Sequence, residues 1–287
     1  MTIEKIAVIG SGTMGKQIAL NAAIHGINVK LTDAFPESLK KAQAWADEYL
    51  QGRIDKERMT EEQVKEARSN IKFVYDLEEA IADVECVIEV IVEDLTTKLN
   101  LFAKLDKMCP PEVILASNTS SFVPSKLAKA VRDGRKGKVI DMHFFNPVLV
   151  MKLVEIVRGP DTDDDTVDAI VGLGEKMGKT PVVLDKEING FVVNRIMGRT
   201  FEEACRLIEA GIATPEVIDI CAEIGLRHPM GPCKLMDLNG IDTCLRVREQ
   251  RYEESQEEID KPPLVMKQMV EKGLYGRKTG EGFYKYD

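Results

Sequence analysis

Residues 6–15 read "IAVIGSGTMG", a short β-branched apolar run that ends in three spaced glycines and opens into the helical pattern "KQIALNAAIHG". A strand that passes through a glycine turn into a helix is the first unit of a doubly wound α/β fold. Each glycine has a separate task. Gly10 permits the tight turn, Gly12 lets a pyrophosphate approach the backbone, and Gly15 allows the helix to pack closely on the strand. Ser11, Thr13 and Met14 complete a loop whose N–H groups sit at the positive end of the helix dipole. The glycine pattern alone is a weak signal, but its context strengthens it. The next β-type run, "NVKLTD", ends in Asp33, 18 residues beyond Gly15, where an acid is expected to hold a ribose 2′-hydroxyl. Asp33 would repel a 2′-phosphate, and Ala34 and Phe35 follow it where an arginine would be needed, so NAD is expected over NADP.

Outward from this unit, short strands alternate with helical stretches to about residue 185: "KIAVIG", "NVKLTD", "CVIEVIVE", "VILASN", "KVIDMHFF", "LVEIVRG" and "PVVLD". Such alternation predicts a Rossmann-type, mostly parallel sheet. From about residue 189 the periodicity becomes helical, with Gly211 as a C-cap, Thr214 as an N-cap and Pro215 at the first helical position. The expected organisation is therefore an α/β domain over 1–188, with a helical insertion near 36–72, followed by an all-helical domain over 189–287. The net charge of −9 argues against a nucleic-acid or membrane-surface partner, since both demand a basic face. Six scattered cysteines without C-x-x-C spacing fit free thiols in a reducing cytoplasm, and no metal site is expected. No apolar run approaches the ~18 residues of a membrane span.

Three segments deliver polar residues beyond strand C-termini, where ligands lie in such sheets: Glu93, "SNTSS" at 117–121, and His143. Taken singly, Glu93 reads equally well as a charge at a helix start, and Ser120 or Ser121 as the cap of a helix near Pro124. The stretch "HFFNPVLVMKLVEIV", residues 143–157, says more. Too few residues join its two β-type halves for a parallel crossover, so they should turn back on each other about Leu149, which sets His143 opposite Glu155. Glu155 shares its face with Leu153 and Val157, where an unpaired carboxylate would be costly. A carboxylate on one imidazole nitrogen fixes the tautomer and leaves the other nitrogen as a base, which suits removal of an alcohol proton during hydride transfer. A bare strand tie is the competing reading.

At this point the chain resembles the 3-hydroxyacyl-CoA dehydrogenases, through "IAVIGSGTMG", "VIEVIVEDLTTK", "LASNTSS", "HFFNPVLVMKLVEIV", "GFVVNRI", "HPMGP" and "GRKTGEGFY" in the family's order. The resemblance implies His143 as the base and Glu155 as its orienting partner, Ser120 and Asn194 on the substrate oxygens, and Glu93, Lys98, Asn146 and Lys278 lining the cofactor site. It further implies an acyl-CoA thioester as substrate, of short chain such as 3-hydroxybutyryl-CoA, and a homodimer formed through the helical domain. Asn189-Gly190-Phe191 stands where relatives usually read Pro-Gly-Phe. Basic residues of the insertion, Lys40 and Arg58 among them, are interspersed with acids and read mainly as a solvated hairpin, one or two of them meeting CoA phosphates. His25 and His228 read as structural. Two alternatives stay open: a dehydrogenase of a free sugar acid such as gulonate, and a catalytically silent NAD-binding protein of the crystallin type.

Overall fold

The computed structural model describes residues 2–286, the side chain of residue 254 excepted. By its contacts the chain divides into two units, Met1–Phe191 and Val192–Asp287. The first holds one eight-stranded sheet of order β3-β2-β1-β4-β5-β6-β7-β8. Its strands are β1 (Lys5–Ile9), β2 (Asn28–Thr32), β3 (Ile71–Phe73), β4 (Cys86–Glu89), β5 (Ile114–Ser117), β6 (Val139–Phe144), β7 (Leu153–Arg158) and β8 (Thr180–Leu184). All neighbours run parallel except β6 and β7, which are antiparallel as the short connection requires. The Rossmann-type class expected from the alternation is thus the observed one. The three-residue β3 was not expected, because "IKF" is too short to show a period of its own.

Both faces of the sheet are covered, which is why its strands read as nearly continuous apolar runs. On one face α1 (Thr13–Ile24) and the later α7 (Asp164–Lys176) close over Val8, Ile88, Ile140 and Ile156. On the other, α5 (Leu95–Met108) buries Phe102 and Leu105 against Val87, Leu115 and Val139. The insertion is a pair of helices, α2 (Pro36–Asp55) and α3 (Glu61–Asn70), packed through Leu50, Val64 and Ala67 onto Leu20 of α1. Thr60 and Gln63 start α3 with a reciprocal capping box. Two short helices, α4 (Leu77–Ile81) and α6 (Pro124–Leu127), complete this unit. Val123 occupies the N-cap of α6, so neither Ser120 nor Ser121 caps it.

The second unit is helical: α8 (Val193–Glu209), α9 (Pro215–Ile220), α10 (Pro232–Asn239), α11 (Ile241–Ser255) and α12 (Leu264–Glu271). Thr214 stands at the N-cap of α9 with Pro215 inside it, although its side chain makes no capping bond. Gly211, at φ +66, follows the α8 C-cap Ala210. Two buried carboxylates explain the motifs near the C-terminus. Asp219 accepts from the N–H groups of Cys233 and Lys234, just after "HPMGP", and from the Tyr284 hydroxyl. Asp237 accepts from the N–H groups of Phe283 and Tyr284 and from the Tyr286 hydroxyl. A Cβ on Gly231 or Gly282 would collide with these carboxylates, so glycine is required where the chain passes them. His228 belongs to this motif, and His25 Nδ1 bonds the Asn21 carbonyl at 2.8 Å at the end of α1.

Candidate active site

The glycine loop joins β1 to α1. Gly10 has φ +106, and a Cβ there would strike the Val90 carbonyl, just past the end of β4; one on Gly15 would strike the Gly10 carbonyl. Gly12 differs, since a Cβ added to it meets no protein atom within 4 Å. Two of the glycines therefore serve packing, and the third keeps the loop open on its outer side. Gly12 caps α1 without a side-chain bond and the first turn carries no acid, leaving orphan N–H groups and the positive end of the dipole for an anion. This cradle fits a dinucleotide pyrophosphate. Asp33 lies at the end of β2 as expected, but its carboxylate also works within the protein. Oδ2 accepts from Ser11 N at 2.6 Å and Ser11 Oγ at 2.8 Å, and Oδ1 from Phe35 N at 2.9 Å. Asp33 thus shapes the loop as well as presenting its charge.

Three strands away, β6 and β7 pair with His143 directly opposite Glu155. His143 Nδ1 lies 2.9 Å from Glu155 Oε2. An ionised carboxylate can only accept, so Nδ1 carries a hydrogen, and in the neutral imidazole it is then Nε2 that bears the free lone pair. Glu155 is fully buried, and His143 is 6% exposed. The rings of Phe145 and Phe191 meet the imidazole edge-on, with centroids at 4.6 and 5.4 Å, and limit its rotation.

Between these sites runs a polar network that the sequence did not reveal. β4, β5 and β6 lie in register so that Glu89, Ser117 and Asp141 form one row across the α5 face of the sheet. Glu89 accepts from Ser117 Oγ at 2.6 Å, from Ile91 N at 2.7 Å and from Lys98 Nζ at 2.7 Å. Lys98 also reaches Glu93 Oε2 at 3.2 Å. Glu93 Oε1 in turn accepts from Thr119 Oγ1, Ser120 N and Ser121 N at 2.5, 3.1 and 3.0 Å. Burial would raise the Glu93 carboxyl, but the charge of Lys98 and the Thr119 hydroxyl outweigh it and hold the group below its ordinary range. Lys98 is 1% exposed. Its ammonium is engaged by two carboxylates, of which Glu89 meets Ser117 at the start of the "SNTSS" stretch and Glu93 holds Thr119, Ser120 and Ser121. That loop is fixed to β6 by Asn118 Oδ1, which accepts from Phe144 N at 2.8 Å. Ser120 is held by its backbone N–H and needs no side-chain bond to keep its place.

Asn146, three residues past His143, is exposed, and its Oδ1 receives a bond from Gln17 Nε2 at 3.2 Å. Glycine loop, Asp33, Glu93, Lys98, Ser120, His143, Asn146 and Glu155 all belong to the first unit, and apart from Lys98 and Glu155 they lie at strand ends or in the loops after them. Asn194 and Lys278 belong to the second. Asn194 is on the first turn of α8, and Lys278 pairs with Asp242 while its Nζ lies 5.2 Å from the Tyr275 ring centroid. Glu89, Gln17 and Asp141 were missed in the sequence, and Ser117 and Thr119 were placed there only as members of "SNTSS", without a role of their own. Alternation with Val87, Leu115 and Val139 was the available signal for the row of three. Among the described residues no cluster of His, Cys, Asp and Glu could hold a metal ion.

A family model described as "3-hydroxyacyl-CoA dehydrogenase, NAD binding domain" matches residues 5–188, and its companion, "3-hydroxyacyl-CoA dehydrogenase, C-terminal domain", matches 190–286. The chain is 38% identical over 284 residues to a protein of Bradyrhizobium diazoefficiens named 3-hydroxybutyryl-CoA dehydrogenase, covering 99% of this chain and 96% of that one. It is 38% identical over 291 residues to a pig protein (Sus scrofa) named hydroxyacyl-coenzyme A dehydrogenase, mitochondrial, covering 99% and 91% of the two. The crystal structure of (S)-3-hydroxybutyryl-CoA dehydrogenase from Ralstonia eutropha superposes with a TM-score of 0.94 at 38% identity, covering all of both chains.

Proposed function

The chain belongs to the 3-hydroxyacyl-CoA dehydrogenase family, an NAD-dependent oxidoreductase family, and from that premise we propose that His143 and Glu155 carry its proton transfer. The substrate we propose is (3S)-3-hydroxybutyryl-CoA, interconverted with acetoacetyl-CoA, because several similar proteins are named for it. The observation that carries the catalytic reading is the buried 2.9 Å contact between His143 Nδ1 and Glu155 Oε2.

In the oxidative direction, the substrate's C3 hydroxyl gives its proton to His143 Nε2 as the C3–H bond breaks and C3 becomes a carbonyl carbon. When bound, NAD supplies the acceptor for the hydride. Glu155 holds the imidazole in the tautomer with Nε2 free and stabilises the imidazolium that forms, and in the reductive direction that imidazolium returns the proton to the carbonyl oxygen. Ser120, on the loop anchored by Glu93, and Asn194, in the second unit, are proposed to hold the substrate oxygens. Glu93, Lys98 and Lys278 belong to the proposed cofactor site, with Lys98 acting through Glu93. The cytoplasm is part of this proposal on the strength of the scattered cysteines. So is a homodimer, supported by the exposed apolar residues Ile212, Val217, Ile220, Ile224 and Leu226 on the helical unit. Among the described residues no helix is long and apolar enough to cross a membrane.

NADH oxidation followed at its absorbance, with acetoacetyl-CoA as substrate, tests the reading. H143A and E155Q should each lower kcat by roughly 10²–10⁴-fold while leaving NADH binding intact. Near-normal turnover of E155Q would reduce the pair to a strand tie. Turnover of gulonate in preference to the thioester would overturn the substrate assignment.

A further inference from the structure

Gln17 sits one turn into α1, beyond the glycine loop, and is 7% exposed. Its Nε2 donates to Thr13 O at 2.9 Å and to Asn146 Oδ1 at 3.2 Å. The Thr13 carbonyl can only accept, so the end of the Gln17 amide that faces it must be the NH2 group. That same NH2 meets Asn146, which must therefore turn its oxygen inward and its own NH2 outward. A backbone carbonyl thereby sets the direction of two successive side-chain amides. The outer one is exposed and is only three residues from His143.

We propose that Gln17 is a positioning residue: through Asn146 it presents a hydrogen-bond donor to the nicotinamide-riboside half of the bound dinucleotide. Hydride and proton leave the same H–C–OH group, so the nicotinamide must converge with His143 Nε2 on one carbon. Asn146 lies at that end of the cofactor. Asp33, at the end of β2, lies four strands from β6 in the sheet order, which is ~19 Å at the usual strand spacing and suits the adenosine end. The acceptor that an outward NH2 recognises is a carbonyl or hydroxyl oxygen of the nicotinamide riboside. The proposal rests on the placement of Asn146 in the cofactor site.

The test compares titrations of NADH with those of ADP-ribose, which lacks the nicotinamide. Q17L should weaken NADH by about 2–10-fold, the scale of one hydrogen bond, and leave ADP-ribose unchanged. N146A should show the same selectivity, and adding Q17L to N146A should cost nothing further. Q17E should weaken NADH more than Q17L, because a carboxylate accepts from the Asn146 NH2 and reverses that amide. Equal losses for both ligands would mean that Gln17 only packs the loop and would overturn the proposal, as would unchanged NADH affinity in Q17L or additive losses in the double variant. Failure of the wild-type protein to bind either ligand would overturn the dinucleotide assignment beneath it.

Discussion

At the scale of single residues, the site is a set of charges made tolerable by their neighbours, with one exception. Glu89, Glu93 and Glu155 each find a donor or a cation within 3.2 Å. Asp141 does not: it is fully buried, and neither carboxylate oxygen meets a hydrogen-bond donor of the protein. Burial first, and the neighbouring Glu89 second, push its carboxyl well above the ordinary range. In the unfolded chain an aspartate titrates near about 4. Because the folded-state value is the higher of the two, the folded protein keeps this proton longer, and stability is lost as pH rises from about 4 through the folded value. D141N removes the ionisation while keeping the shape. We expect it to raise the thermal midpoint at pH 7 by a few degrees, corresponding to about 1–3 kcal/mol, with a smaller advantage at pH 4.5. A constant difference between the two pH values would contradict the assignment. The motif residues on this scale were legible because chemistry restricts them: glycines where a Cβ would collide, and an aspartate at the end of the second strand. Gln17 and Asp141 were not: Gln17 belongs to no pattern and its partner Asn146 is distant in sequence, and Asp141 is only an alternating polar position until the strand order sets it in one row with Ser117 and Glu89.

Among elements, the β6–β7 hairpin positions the proposed catalytic pair, His143 and Glu155, and its connection is secured from outside. Lys179, just before β8, donates from Nζ to the carbonyls of Val148 at 2.5 Å and Met151 at 3.1 Å. β8 continues the tie with Thr180 N donating to Lys152 O at 2.7 Å. K179M leaves both carbonyls without this donor and should lower kcat several-fold with little change in the KM for NADH, and K179R should recover part of the loss. Burial, helped by Lys152, lowers the Lys179 ammonium to about 8. An unfolded lysine titrates near about 10.4, so between those values the unfolded chain binds more protons, and wild-type stability gains with pH. Thermal midpoints at pH 7.5 and 9.5 should therefore show wild type gaining on K179M at the higher pH, and a parallel course would argue against a buried ammonium. The hairpin itself was readable, because its short connection excludes a parallel crossover and the turn centre dictates which residues oppose. β3 escaped notice because three residues carry no periodicity, and the lysine clamp did because nothing in "MGKTP" points to a turn some thirty residues earlier.

For the molecule as a whole, the helical unit keeps Val217, Ile220 and Ile224 exposed at helical spacing of three and four, with Ile212 and Leu226 beside them. If a second copy covers them, I220E/I224E should shift the mass in light scattering from dimer to monomer while the far-ultraviolet circular dichroism stays unchanged. A dimer that persists would place the interface elsewhere. By itself the sequence determined the class of fold, the site of the glycine loop, the antiparallel hairpin and the facing of His143 by Glu155. These follow from local rules: steric limits at glycine, alternation along a strand, and the reach of a short connection. Only the tertiary structure decided how charge is distributed around that pair. It buried Lys98 between two glutamates, turned Asp33 onto Ser11, left Asp141 without a donor and brought Gln17 against Asn146. Each of these depends on which strands become neighbours and on how far a side chain reaches across them, and long-range packing sets both of those.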